Sequence, residues 1–277
     1  MLVGVDFTSR PTRRKSIVMA CGARDGDLVQ LQSLRCFESL DAFAAWLAEP
    51  GDWIAALDLP FGLPRELVQH LGWPTDWLAC MRHYASRSRV EIRECFAAFC
   101  AARPAGGKFA HRATDGPAGS SPSMKWVNPP VAFMLHAGVP PLIAAGVHLP
   151  GLHDGDRRRV ALEGYPGLLA RACIGRASYK SDEPKRQTPE RLAARRQMLE
   201  VLQRGAPRLG LRLVVAADQR ALLARDASGD RLDAVLCLMQ AAWAERAHAA
   251  GDMRYGLPKR LDPLEGWIVT APESAAR

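Results

Sequence analysis

Trp53–Leu57 is an almost wholly apolar run that ends in Asp58. A strand buried on both faces reads this way, and such strands lie in the middle of an α/β sheet. Leu2–Val5 repeats the pattern and ends in Asp6, and a later candidate strand, Arg157–Leu162, ends in Glu163. Ligands of an open α/β sheet bind outside the carboxyl ends of its parallel strands. Asp6, Asp58 and Glu163 are therefore candidates for one site. Each alone could be a turn residue; three together favour a shared role.

The elements between them fit an α/β chain. Ser16–Cys21 and Leu28–Leu34 flank Arg24-Asp25-Gly26-Asp27, a hairpin signal. Ser39–Ala48 carries Leu40, Phe43, Ala44 and Leu47 at helical spacing, and Pro50-Gly51 ends it. Leu59–Pro150 reads differently. Helical pieces are expected near Pro64–Leu71, Asp76–Ala85 and Arg89–Ala102, followed by a Gly/Pro/Ser-rich loop, Arg103–Pro130. A loop of that length is usually functional or mobile. Residues 60–150 are thus expected to form a helical and loop insertion within a single domain spanning 1–277. Pro166 opens a short helix, Thr188-Pro189 one that runs to about Gln203, and Asp218 caps another. Asp230 or Ser228 begins the last, through about Ala249. Trp267–Val269 is a terminal apolar run and a candidate edge strand.

No apolar run reaches the roughly 18–20 residues that a membrane span needs, and Met1–Asp6 has no charged lead. The seven cysteines form no Cys-x-x-Cys pair, which suits free thiols. The expectation is a cytoplasmic chain with no membrane segment. Its formal charge is +8, and Gly151–Val215 holds 14 Lys and Arg against 7 Asp and Glu. A local basic excess suits a polyanion such as nucleic acid, or merely a solvated helix face.

Asp230 and Asp233 lie three residues apart, on one face at the start of the last helix. Ala234, Cys237, Ala241 and Ala244 continue that face, and small residues let a helix approach a sheet closely. Clustered carboxylates raise one another's pKa and need a compensating charge. Hard divalent cations supply it, with Mg²⁺ or Mn²⁺ the expected cofactor. Two such ions about 3.5–4 Å apart promote phosphodiester cleavage.

At these residues the chain resembles the ribonuclease H fold. It is similar, more narrowly, to the bacterial and archaeal family catalogued as domain of unknown function 429, described as a predicted RNase H-like nuclease. The stretches that carry the likeness are Val3–Ser9 (VGVDFTS), Ala56–Pro64 (ALDLPFGLP), Leu162–Leu169 (LEGYPGLL), Tyr179–Leu202, Gly229–Ala244 (GDRLDAVLCLMQAAWA) and Glu265–Val269 (EGWIV). They span nearly the whole chain. The resemblance implies a mixed sheet of order 3-2-1-4-5, its first three strands antiparallel, flanked by helices, with the insertion after the fourth strand. It implies a divalent-metal-dependent nuclease with Asp6, Asp58, Glu163 and Asp233 as catalytic residues, and with Asp6, Asp58, Asp230 and Asp233 on the metal. Asp6 matches the superfamily's first-strand Asp. Asp230 and Asp233 resemble the Asp-x-x-Asp of RuvC-like resolvases, and Glu163 matches the family's Glu-x-Tyr-Pro. The insertion is long for a minimal RNase H fold, so substrate preference does not carry across.

Further candidates would contact nucleic acid. Thr8 and Ser9 offer hydroxyls or N–H groups to a phosphate, Tyr165 a face for a base, and Lys180, Lys185 and Arg186 positive charge. Packing, turns and solvated loops are the alternatives. Lys108, His111, Arg112 and Lys125 could close over a ligand. Two other functions compete. A nucleotide-dependent phosphotransferase of the actin and hexokinase type shares a related core, but this chain lacks the usual Gly after Asp6 and has Pro60 after Asp58-Leu59. A non-catalytic module of the same fold, binding nucleic acid or protein, gains nothing from clustered acids.

Overall fold

β1 (Leu2–Asp6), β2 (Ile17–Asp25) and β3 (Leu28–Phe37) form an antiparallel meander in the computed structural model, which describes residues 1–273. The hairpin turns at Gly26, whose φ of 54° is a conformation that costs glycine little. α1 (Leu40–Ala48) is capped by Ser39, whose hydroxyl accepts the Ala42 N–H at 3.1 Å. β4 (Trp53–Asp58) returns parallel to β1. The insertion then supplies α2 (Arg65–His70), α3 (Trp77–Ala85), α4 (Arg89–Ala101), α5 (Asp115–Ala118) and α6 (Val131–Ala144). After it come β5 (Val147–His148), β6 (Asp156–Glu163), α7 (Pro166–Ile174) and a single 3-10 turn, Pro184–Arg186. The chain continues as α8 (Pro189–Gly205), β7 (Arg212–Val214), α9 (Ala217–Arg225) and α10 (Asp230–Ala249).

The seven strands make one mixed sheet in the order β5-β6-β4-β1-β2-β3-β7. Strands β3, β2, β1, β4 and β6 follow the expected order. Two short strands extend it: β7 pairs parallel with β3, and β5 pairs parallel with β6. The candidate edge strand Trp267–Val269 makes only one parallel bridge, Ile268 to Glu163. β5 holds the edge position instead. α6 had no clear sequence signal, because Pro140 and Pro141 lie inside it. Asp218 is not a cap; Ala216 precedes α9 and its N–H donates to Gln219 Oε1 at 3.1 Å. α10 begins at Asp230, one of the two expected starts, and Ser228 does not hold the cap position before it. That position belongs to Gly229, at a left-handed φ of 77°.

Alternation along the strands fixes which helices cover which face. Val3, Val5, Ala55 and Leu57 pack under α1 and the insertion helices, with Phe43, Trp46, Leu67 and Phe96. Leu2, Val18, Ala20 and Leu31 pack under α8 and α10, with Met198, Leu199, Val235 and Leu238. α10 is apolar nearly all round because it is buried nearly all round. All seven cysteines are free. Among the described residues no helix is long and apolar enough to cross a membrane.

Candidate active site

Two adjacent parallel strands place the first two carboxylates side by side. β1 and β4 pair with Asp6 opposite Asp58, so both acids end their strands at the same level and on the same face. α10 crosses that face at van der Waals contact. A Cβ on Gly4 would lie 2.1 Å from the Ala234 carbonyl oxygen and from the Leu238 nitrogen. Only glycine permits this approach, and it brings the first turn of α10, with Asp233, against Asp6.

Tyr179 and Lys180 close the cluster from outside. Arg195, itself buried, donates to the Tyr179 carbonyl at 2.6 Å, and the Ser181 N–H donates to the Ala227 carbonyl at 3.0 Å. Gly229 leaves room for this segment, since its Cβ would sit 2.7 Å from Lys180 Cβ. The Tyr179 hydroxyl then donates to Asp233 Oδ1 at 2.6 Å, and Lys180 Nζ pairs with Asp233 Oδ2. Sequence reasoning gave Lys180 to a phosphate. In the structure it is the cation that answers the acidic cluster.

The electrostatics are strained. Burial, then Asp233 and Asp230, push the Asp6 carboxyl well above its usual pKa. Burial raises Asp58 to about 7; Lys180 opposes this, while Asp233 and Glu163 add to it. Asp233 is also raised, by burial, despite the Lys180 charge and the hydrogen bonds from Lys180 and Tyr179. A carboxyl whose pKa folding raises binds its proton over a window in which the unfolded group has lost it, so the ligand-free stability it contributes falls as pH rises. For Asp58 the window runs from 3.8 to about 7. Urea unfolding without divalent ions is expected to show about 1–2 kcal/mol less stability at pH 7.5 than at pH 5, allowing for the partial exposure of Asp58. Asp58→Asn should flatten that profile; greater stability at pH 7.5 would contradict it.

The other two acids are engaged elsewhere. Asp230, the first residue of α10, accepts Lys15 Nζ at 2.9 Å, and Asp182 takes the same ammonium at 2.8 Å. Glu163 ends β6 but is clamped. Its Oε1 accepts Arg112 Nη2 at 2.7 Å, and its Oε2 accepts Arg112 Nη1 at 2.8 Å and the Phe61 N–H at 2.9 Å. Arg112 also binds Asp115 Oδ1 at 2.9 Å and the Glu265 carbonyl at 3.1 Å. The Ala113 N–H donates to Glu265 Oε2 at 2.8 Å. The long loop is therefore pinned over the sheet edge by buried charge. Burial raises the Glu163 pKa, and Arg112 opposes it. With three donors on its two oxygens, Glu163 is a positioning residue.

A cavity of about 430 Å³ lies beside these groups; Asp233, fully buried, and Tyr179 do not line it. Asp6, Asp58, Asp230, Lys15 and Lys180 form its charged wall, and Phe7, Pro129, Pro130, Val131 and Met134 its apolar one. Thr8, Ser9, Glu163 and Tyr165 also face it, so most of the sequence-selected residues converge. The Tyr165 ring lies under the Arg171 guanidinium. Lys185 and Arg186 do not line the cavity; they lie on the exposed 3-10 turn, where Arg186 pairs with Glu183 at 3.1 Å. Nor does the basic segment form one face. Arg157, Arg158 and Arg159 sit at the far end of β6 from Glu163 and pair with Asp154, Asp52 and Asp156. Sequence reasoning missed Lys15, Asp182 and Tyr179, and Arg195, in the segment read as a solvated helix face, is buried.

The donor chemistry of Asp6, Asp58 and Asp233 suits a hard divalent cation. Among the described residues, however, no group of three or more His, Cys, Asp or Glu stands in an arrangement that could hold a metal ion. Lys180 pairs with Asp233, and its side chain is 42 % exposed. Comparison with family models, with curated proteins and with solved structures finds no match for this chain.

Proposed function

We propose that this chain is a divalent-cation-dependent phosphodiesterase of ribonuclease H-like fold that acts on nucleic acid. One observation carries the reading: Asp6, Asp58 and Asp233 converge at the carboxyl end of β1 and β4 with pKa values raised by burial. Structural acids are normally paired so that their charge is favoured; a cluster whose charge is disfavoured marks a functional site. Mg²⁺ or Mn²⁺, held by Asp6, Asp58 and Asp233, would supply the charge that activates water and stabilises a leaving oxygen.

The chain's own residues have definable tasks. With a cation held there, Lys180 would be released from Asp233 and its ammonium would be available to a substrate phosphate. The Tyr179 hydroxyl, which donates to Asp233 Oδ1, would keep that carboxylate oriented. Thr8 and Ser9 offer hydrogen bonds at the rim, and Tyr165 a ring for a base. Glu163 and Arg112 hold the loop that forms the apolar wall.

The test is a set of labelled single-stranded DNA, RNA, duplex and branched substrates with Mn²⁺ or Mg²⁺. The expected result is cleavage that EDTA abolishes. All substrates intact would sink the proposal. A second reading, a non-catalytic module, draws on the Lys180–Asp233 and Arg112–Glu163 pairs. Nucleic-acid binding without cleavage would favour it.

A further inference from the structure

The β1–β2 connection is the most basic short stretch beside the cavity. Arg10, Arg13, Arg14 and Lys15 fall within six residues, with no acid between them. Counting charge over long windows hides this cluster. Both ends of the connection, Ser9 and Lys15, line the cavity, so the stretch between them stands at its lip.

Four observations give these residues a task. First, the connection is built. The Thr12 N–H donates to the Lys15 carbonyl at 2.8 Å, and the Lys15 N–H donates to Thr12 Oγ1 at 3.1 Å. Lys15 turns inward to Asp230 and Asp182, and Arg89 Nη2 donates to the Ser9 carbonyl at 2.8 Å. Second, Arg10, Arg13 and Arg14 are exposed, and among the described residues none forms an ion pair. Third, Arg89 lies close enough to Arg10 that, after burial, the Arg10 charge helps to lower its pKa. Like charges so gathered repel one another unless an anion joins them. Fourth, several cations of the basic segment are occupied. Lys180 pairs with Asp233, and Arg186 with Glu183. Arg159 pairs with Asp156, and Arg195 holds two carbonyls.

The cavity's own ammonium groups, Lys15 and Lys180, are each held by carboxylates. Attraction has to come from the rim. Arginine suits that place, since its planar fork matches phosphate oxygens and its charge is permanent. We propose that Arg10, Arg13 and Arg14 form the docking surface for the phosphate backbone of a nucleic-acid strand, which they hold across the lip while one phosphodiester enters the cavity. Lys185 and Arg186 take no part. This inference rests on the nucleic-acid reading above, and it names the surface through which that partner is held.

Binding is measured by fluorescence anisotropy with a labelled 20-nucleotide single strand in EDTA, so that cleavage is absent. The wild-type chain is expected to bind with a steep salt dependence. Replacing Arg10, Arg13 and Arg14 together with Ala should weaken binding roughly 30-fold at low salt and reduce the slope of log K against log salt by about 2, as three lost single-strand phosphate contacts require. Lys185→Ala/Arg186→Ala should bind within about twofold of wild type, since salt dependence follows only the phosphates contacted. Unchanged melting of both variants confirms that the fold is intact. Three results would overturn the docking surface: no binding by wild type, an unchanged slope in the triple variant, or a mononucleotide competing as well as the strand. Tight, salt-steep binding that the triple variant loses, with no cleavage in Mn²⁺, supports the surface and sinks only the phosphodiesterase reading.

Discussion

Arg112→Ala is expected to cost the fold about 3–5 kcal/mol, the range for removing one partner of a buried ion pair. Arg112 and Glu163 side chains are 2 % and 3 % exposed, and Asp115 is fully buried beside them. Without the guanidinium, two buried carboxylates face each other with no cation between them. Urea unfolding measures the loss, and limited proteolysis within 103–130 reports whether the loop lets go. Arg112→Ala/Glu163→Gln should recover part of the stability, because the uncompensated charge is then gone. Single and double variants equally unstable would mean that packing, not charge, holds the loop.

Asp6→Asn is expected to act with opposite signs on activity and stability. Phosphodiester cleavage should fall by at least ~10³-fold, on the scale of losing an electrostatic catalytic group. The metal-free chain should become about 1 kcal/mol more stable, because functional sites store unfavourable charge. Burial, Asp233 and Asp230 all oppose the ionised Asp6, so an uncharged isostere relieves them. Single-turnover cleavage and urea unfolding on the same preparation check the pair. Loss of both would make Asp6 a structural residue, and retained cleavage would remove it from the mechanism.

Much of the framework was legible in the sequence. Apolar runs ending in acids located β1, β4 and β6, because a strand buried on both faces has little freedom in its composition. The first turn of α10 was legible through small residues on one face, and Gly4 shows what they permit: helix backbone touching strand backbone. β5 and β7 were not legible, since two or three residues carry no period. The partners of the acids were hidden for another reason. Arg112 meets Glu163 across 51 residues and Lys180 meets Asp233 across 53, separations that no local pattern encodes. The basic segment looked like a surface because charge was counted along the chain. In space several of its arginines answer local carboxylates and carbonyls, while the shorter cluster at Arg10–Lys15 stands at the cavity lip.

On the proposed reading, Asp6, Asp58 and Asp233 take up a divalent cation in place of Lys180. A calorimetric titration of Mn²⁺ into wild type, Asp233→Asn and Lys180→Met tests it most directly. Mn²⁺ should bind wild type, bind Lys180→Met more tightly, where the competing ammonium is gone, and not bind Asp233→Asn. No heat with wild type, or equal affinity in all three chains, would contradict it.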